Sequence, residues 1–93
     1  MTQFRVFYRE RVEEDFHGLP RNMHRRVRDA INDRLGTAPD HYGMRLRQDL
    51  SGLWRLRVGD YRVAYEISGN SVVIWAVVNR RDAYEEIARR WAR

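Results

Sequence analysis

LWRLRVGDYRVAYEI, Leu53 to Ile67, reads as a tight β-hairpin. Gly59-Asp60 puts glycine at the first central position, which is what a two-residue type II′ turn requires. That turn pairs Val58 with Tyr61, Arg57 with Arg62, Leu56 with Val63, Arg55 with Ala64 and Trp54 with Tyr65. Side chains alternate across a strand, so Trp54, Leu56, Val58, Tyr61, Val63 and Tyr65 share one apolar face. Arg55, Arg57, Arg62 and Glu66 share the other. Like charges directly opposite weaken a sheet by up to about 1 kcal/mol, and nothing in folding requires Arg57 to face Arg62. Two readings of that face stay open. It is a solvated surface whose long side chains cover apolar neighbours, or it holds an anion.

Outward from the hairpin, Gly69-Asn70 marks a second turn, and SVVIWAVV (71–78) is apolar on both faces, as a central strand should be. The same register carries Val73, Trp75 and Val77 onto the arginine side. Upstream, MRLRQDL suggests a short strand before the turn Ser51-Gly52, and Thr37 to Gly43 reads as loop. Met23, Val27, Ile31 and Leu35 recur every four residues between Pro20 and Gly36, which predicts a helix. ERVEEDFH predicts a shorter helix ending at Gly18, and QFRVFY alternates like a first strand. At the other end, Asp82 and Glu85 have the spacing of a capping box. The helix they open carries Ile87, Ala88 and Trp91 as a buried stripe, with Tyr84 in its first turn. Tyr84 either joins that stripe or stands free beside the arginines. There, a helix N-terminus and nearby guanidinium groups would favour its phenolate, a base able to take the proton of a ribose 2′-hydroxyl.

The composition, 43% hydrophobic and 33% charged, is that of a folded domain and excludes a disordered chain. Ninety-three residues allow one domain, 1–93. No apolar run approaches the ~20 residues of a membrane span, and MTQFRVFYRE lacks the order of a secretory signal. The absence of cysteine excludes disulfide and thiol chemistry and agrees with a cytoplasmic location. His17, His24 and His41 have no metal-site spacing, so no metal and no cofactor is expected. His17 and His24 read as surface residues. The net charge of +5 points to an anionic partner. All 18 basic residues are arginine, each a planar fork for phosphate or carboxylate that stays charged near neutrality.

LSGLWRLRVGDYRVAYEI, the strand VVIWAVV and the ending NRRDAY together resemble the RelE/ParE superfamily of bacterial toxin–antitoxin toxins, on the RelE side. The resemblance implies an α+β fold: an antiparallel sheet of about four to five strands, an N-terminal two-helix hairpin and a C-terminal helix. It implies a ribosome-dependent endoribonuclease that cuts mRNA by 2′-hydroxyl attack on the adjacent phosphate. By motif, the catalytic positions fall on Arg55, Arg57, Arg62, Arg80 and Tyr84, with Tyr84 as general base. Arg47, Arg81 and Trp75 would be flanking RNA contacts, Trp75 by stacking. The implied partners are the ribosome with its mRNA and a small, acidic, DNA-binding antitoxin; no membrane is involved. Relatives often carry lysine at the positions of Arg55 and Arg57. Arginine is a poor proton donor, so the leaving oxygen would be served by charge or by water. Two other functions share the fold: a ParE-like gyrase-binding toxin without nuclease activity, and a degenerate corepressor that only binds its antitoxin.

Overall fold

A computed structural model of the chain describes residues 3–92. The expected domain limits at 1 and 93 therefore lie outside the described residues. The elements run β1 (Arg5–Tyr8), α1 (Glu10–His17), α2 (Arg21–Ala30), α3 (Pro39–Tyr42), β2 (Met44–Arg45), β3 (Trp54–Val58), β4 (Tyr61–Ser68), β5 (Ser71–Asn79) and α4 (Ala83–Trp91). The five strands form one sheet in the order β1-β5-β4-β3-β2. Neighbours are antiparallel except at the edge, where β1 runs parallel to β5. Among the described residues no helix is long and apolar enough to cross a membrane.

The β3–β4 hairpin has the pairing expected of its turn, including Arg57 opposite Arg62. Gly59 and Gly69 both have φ of +60° while the residues after them do not enter positive φ, the signature of type II′ turns. The apolar face of the hairpin joins Val72 and Ile74 of β5 in a main core, covered by Val12 and Phe16 of α1 and Met23 and Val27 of α2. Ile31 and Leu35 continue the four-residue spacing into that core, but over Ile31–Leu35 the helix widens to a π turn. The segment expected to be loop contains one helical turn, α3, with Pro39 at its first position. Proline there has no N–H to leave unpaired and a backbone angle already suited to a helix.

A second, smaller core lies on the opposite face of the sheet. Ala64 and Ala76 form its floor, and Leu50, Leu53, Trp75 and Ile87 close it, with Ala88 and Trp91 packed alongside. Two alanines in the sheet leave room for α4 to lie close. The molecule is thus three-layered: α1 and α2, the sheet, then α4.

One register expectation fails. The β4–β5 ladder slips at Ala64/Tyr65, so that Ala64 pairs with Ala76 while Tyr65 pairs with Ile74. Trp75 is the extra residue of a β-bulge, and past a bulge the in–out alternation inverts. Val77 therefore pairs with Val63 in the main core, not on the arginine side. Val73 does remain on that side, beside the second core. The Val77 N–H donates to Asp15 Oδ2 at 2.9 Å. Arg90 of α4 holds that same carboxylate with both Nη atoms, each at 2.7 Å. One ion pair thus joins α1, the bulge and α4.

Candidate active site

The guanidinium face and the start of α4 meet at a hollow of about 540 Å³, lined by Arg55, Arg62, Arg80, Arg81 and Tyr84. Leu46, Leu50, Ala83 and Ile87 supply its apolar part. Each basic side chain arrives from a different local device. Arg55 lies on β3, where its Nη2 meets Met44 Sδ at 3.6 Å. Arg62 lies on β4 and donates from Nη1 to the carbonyls of Gly59 and Tyr61, both at 3.0 Å. The turn that sets the hairpin register therefore also holds the Arg62 side chain. Among the described residues its Nε and Nη2 have no protein acceptor, so a fork is left for a ligand.

Arg80 follows β5. Its backbone N–H donates to Asp60 O at 2.8 Å, and its Nε lies 3.8 Å from Asp60 Oδ1 in a solvent-exposed pair. Arg81 is oriented by Asn79, whose Oδ1 accepts from the Arg81 backbone N–H at 3.0 Å and from Nε at 3.3 Å. The convergence has an electrostatic consequence. Partial burial first, then the charges of Arg57, Arg55 and Arg80, push the Arg62 guanidinium below its ordinary pKa, with Asp60 opposing.

Tyr84 is 61% exposed. It does not join Ile87 in the core, so the packing alternative for this residue is overturned. Its hydroxyl donates to Asp49 Oδ2 at 3.4 Å. Tyr84 does sit in the first turn of α4, but the capping box does not form. Asp82 occupies the N-cap without a side-chain hydrogen bond, at φ −106° and ψ 1° rather than in the extended conformation a capping side chain needs.

A family model described as the ParE toxin of type II toxin–antitoxin systems matches residues 4–84. The chain belongs to this family. Among solved structures, the toxin resembles a chain of the RelBE2 toxin–antitoxin complex of Mycobacterium tuberculosis, with 31% identity and a TM-score of 0.81 over 88% of this chain and 97% of that one. It is similar in fold to a chain of the RelB–RelE complex of Methanococcus jannaschii, at 18% identity, TM-score 0.70 and 87% and 98% coverage. It is also similar to a mutant of the Escherichia coli RelE toxin in the free state, at 17% identity, TM-score 0.71 and 97% and 94% coverage. No curated protein sequence matches.

Within this RelE/ParE toxin, the sequence-predicted residues divide. Arg55, Arg62, Arg80, Arg81 and Tyr84 meet in one hollow. Arg57 pairs with Arg62 yet lines a separate depression beside Arg26, Asp29 and Arg34 of the second helical segment. Beyond Arg55 no β2 residue pairs with β3, so β3 is the edge of the sheet at Arg57. Arg47 lines a third depression with Gln48, Ser51 and Trp54. Trp75 must be corrected: it is 8% exposed and takes no part in the hollow. Arg9 covers its ring at 4.0 Å, Trp91 meets it edge-on at 4.9 Å, and its Nε1 donates to Glu66 Oε1 at 2.8 Å. With its ring packed and its N–H bonded, no face is left for a base. Asp49 and Asn79 are the side chains that sequence reasoning missed. Asp49 lies 35 residues from Tyr84, and no local pattern announces the pair.

Proposed function

We propose that this toxin is a ribosome-dependent endoribonuclease that cleaves mRNA. The observation that carries the reading is the convergence of Arg55, Arg62, Arg80 and an exposed phenol, Tyr84, on one open hollow. Without an anion these guanidinium groups oppose one another; a phosphate between them relieves the repulsion and gains charge-assisted, forked hydrogen bonds. Arg55 and Arg62 hold the scissile phosphate, and their charge matters most as negative charge grows on its oxygens in the transition state. Tyr84 accepts the proton of the 2′-hydroxyl as that oxygen attacks phosphorus. Arg80, at the end of β5, steadies the departing 5′-oxygen, which takes its proton from water. Arg81 and Arg47 track the backbone to either side, and Arg57 contributes from its neighbouring depression. No metal or cofactor enters this scheme. An antitoxin of small size and acidic character suits the same face, where it would neutralise the arginines; the similar chain from Mycobacterium tuberculosis comes from a toxin–antitoxin complex.

The ParE family model favours a second reading, a toxin that binds DNA gyrase and cuts nothing. The two separate in one pair of assays on the purified toxin. The ribonuclease reading expects cleavage of mRNA on translating ribosomes, little cleavage of free RNA, and unaltered supercoiling by gyrase. Gyrase inhibition with intact mRNA would replace it with the second reading.

A further inference from the structure

The segment Asp49 to Gly52 lies along α4 in register with it. Asp49 meets Tyr84, Leu50 is buried in the same cluster as Ile87, and Gly52 lies against Trp91, whose Cζ2 would be 3.0 Å from a Cβ there. The segment is held by its own backbone. Leu50 N–H donates to Arg47 O at 3.1 Å, Ser51 N–H to Gln48 O at 3.0 Å, and Leu46 N–H to Leu53 O at 2.9 Å. Gln48 has φ +56°, the sole positive φ among described residues other than glycine. Non-glycine side chains seldom adopt that conformation, and such outliers cluster at functional sites. Its effect is to turn the chain so that Leu50 enters the core while Asp49 stays outside, facing the phenol. Among the described residues Asp49 makes no ion pair, although the arginine hollow is adjacent, and Tyr84 is the hydrogen-bond partner of its side chain.

We propose that Asp49 is a proton-accepting residue that acts through Tyr84. The proposal rests on the ribonuclease reading and supplies what that reading lacks. A phenol that still carries its proton cannot simply receive another. In the relay the 2′-hydroxyl proton moves to Tyr84 Oη as the phenolic proton moves to Asp49 Oδ2. The 2′-oxygen forms its bond to phosphorus, the bond from phosphorus to the 5′-oxygen breaks, and water protonates the departing oxygen. The products are a 2′,3′-cyclic phosphate and a 5′-hydroxyl, and the proton on Asp49 returns to solvent. Tyr84 thus works without first losing its proton to bulk water.

The test is single-turnover cleavage of mRNA on programmed ribosomes by the toxin and four variants, Asp49→Asn, Asp49→Glu, Tyr84→Phe and the Asp49→Asn/Tyr84→Phe double variant, between pH 7 and pH 9. Asp49→Asn keeps an oxygen for the phenol to bond but cannot take its proton. It should lower the cleavage rate by roughly 10²-fold, the lower end of what general base catalysis contributes, without weakening ribosome binding. Its residual rate should climb with pH, because hydroxide must now remove the phenolic proton, while the unmodified toxin changes little over that range. Asp49→Glu should recover part of the rate. In a Tyr84→Phe background, Asp49→Asn should have no further effect. Asp49 is exposed, so the variants should melt like the parent. If the parent cleaves, Tyr84→Phe is dead and Asp49→Asn matches the parent in rate and pH profile, the relay is wrong and the ribonuclease reading survives. If the parent itself does not cleave on ribosomes, both fall.

Discussion

Replacing Arg90 by alanine should be among the most damaging single changes to this toxin's stability, although Arg90 lies away from the arginine hollow. Its side chain is only 9% exposed, and Asp15, its partner, 10%. The guanidinium donates to both Asp15 oxygens at 2.7 Å, to Glu86 Oε2 at 2.9 Å and to the Trp75 carbonyl at 3.1 Å. The hydrogen bond to Asp15 raises the pKa of Arg90, and the bond from Arg90 holds Glu86 below the usual carboxylate range. Arg90→Ala leaves the part-buried Asp15 carboxylate without its cation; removing one member of a fully buried pair costs about 3–5 kcal/mol, and this pair should come close to the lower end of that range. A domain of this length has a total stability of roughly 5–14 kcal/mol, so the loss is a large share of it. Asp15 also caps the Val77 N–H that the bulge frees from the ladder. Asp15→Ala should therefore cost about 1–3 kcal/mol more than Asp15→Asn, which keeps an acceptor for that group. Urea unfolding followed by tryptophan fluorescence measures all three, and the Asp15→Asn/Arg90→Ala double variant closes the cycle. A loss below about 1 kcal/mol for Arg90→Ala, in the range of a surface pair, would show that this ion pair does not tie α4 to the sheet. So would single losses that add to within about 0.5 kcal/mol.

Three further outcomes follow from other contacts. A Cβ at Gly43 would fall on the Tyr65 hydroxyl and lie 2.9 Å from the Arg55 carbonyl, so Gly43→Ala should destabilise by about 1–3 kcal/mol in thermal melts, as overpacking does. The Tyr65 hydroxyl donates to Pro39 O at 2.6 Å, and burial, then Asp40, raises its pKa. The folded chain keeps that proton after the unfolded chain has lost it. Its contribution is complete below about pH 10 and falls by roughly 1.4 kcal/mol per pH unit above, until the folded phenol also ionises. Tyr65→Phe should flatten that decline in unfolding titrations; an unchanged slope would exclude Tyr65 as its source. Arg57 lines a depression apart from the hollow, so Arg57→Ala should slow cleavage less than about tenfold where Arg62→Ala slows it more than about 10²-fold. Because Arg57→Ala removes a like charge from opposite Arg62, its melting temperature should not fall.

The β3–β4 hairpin was legible because two independent constraints agree. A two-residue turn with glycine first sets the register, and strict alternation of apolar and charged residues penalises any slip. The same logic fails on β5, where SVVIWAVV is apolar on both faces. A one-residue bulge at Trp75 there exposes no apolar side and buries no charge, so the pattern is silent about it and Val77 changes side unseen. Tyr84 was ambiguous for a related reason. Its spacing to Ile87 and Trp91 suits a buried stripe, yet at the first turn of α4 it lies over the hollow. The pairs Asp49–Tyr84 and Asp15–Arg90 join residues 35 and 75 positions apart and are set by packing alone. The capping box shows that a motif's spacing does not guarantee its backbone conformation, since Asp82 has the right offset and the wrong ψ.

A ribonuclease built on the hollow of Arg55, Arg62, Arg80 and Tyr84 must act on a ribose-linked phosphate. The direct measurement uses mRNA on programmed ribosomes with a single 2′-deoxynucleotide at the position cut in the all-ribose message. The toxin should cleave the all-ribose message to a 2′,3′-cyclic end and leave the substituted bond intact, while folded Arg62→Ala and Tyr84→Phe variants leave both intact. Cleavage of the substituted bond at the all-ribose rate, or undiminished cleavage by either variant, would mean that the hollow is not where the message is cut.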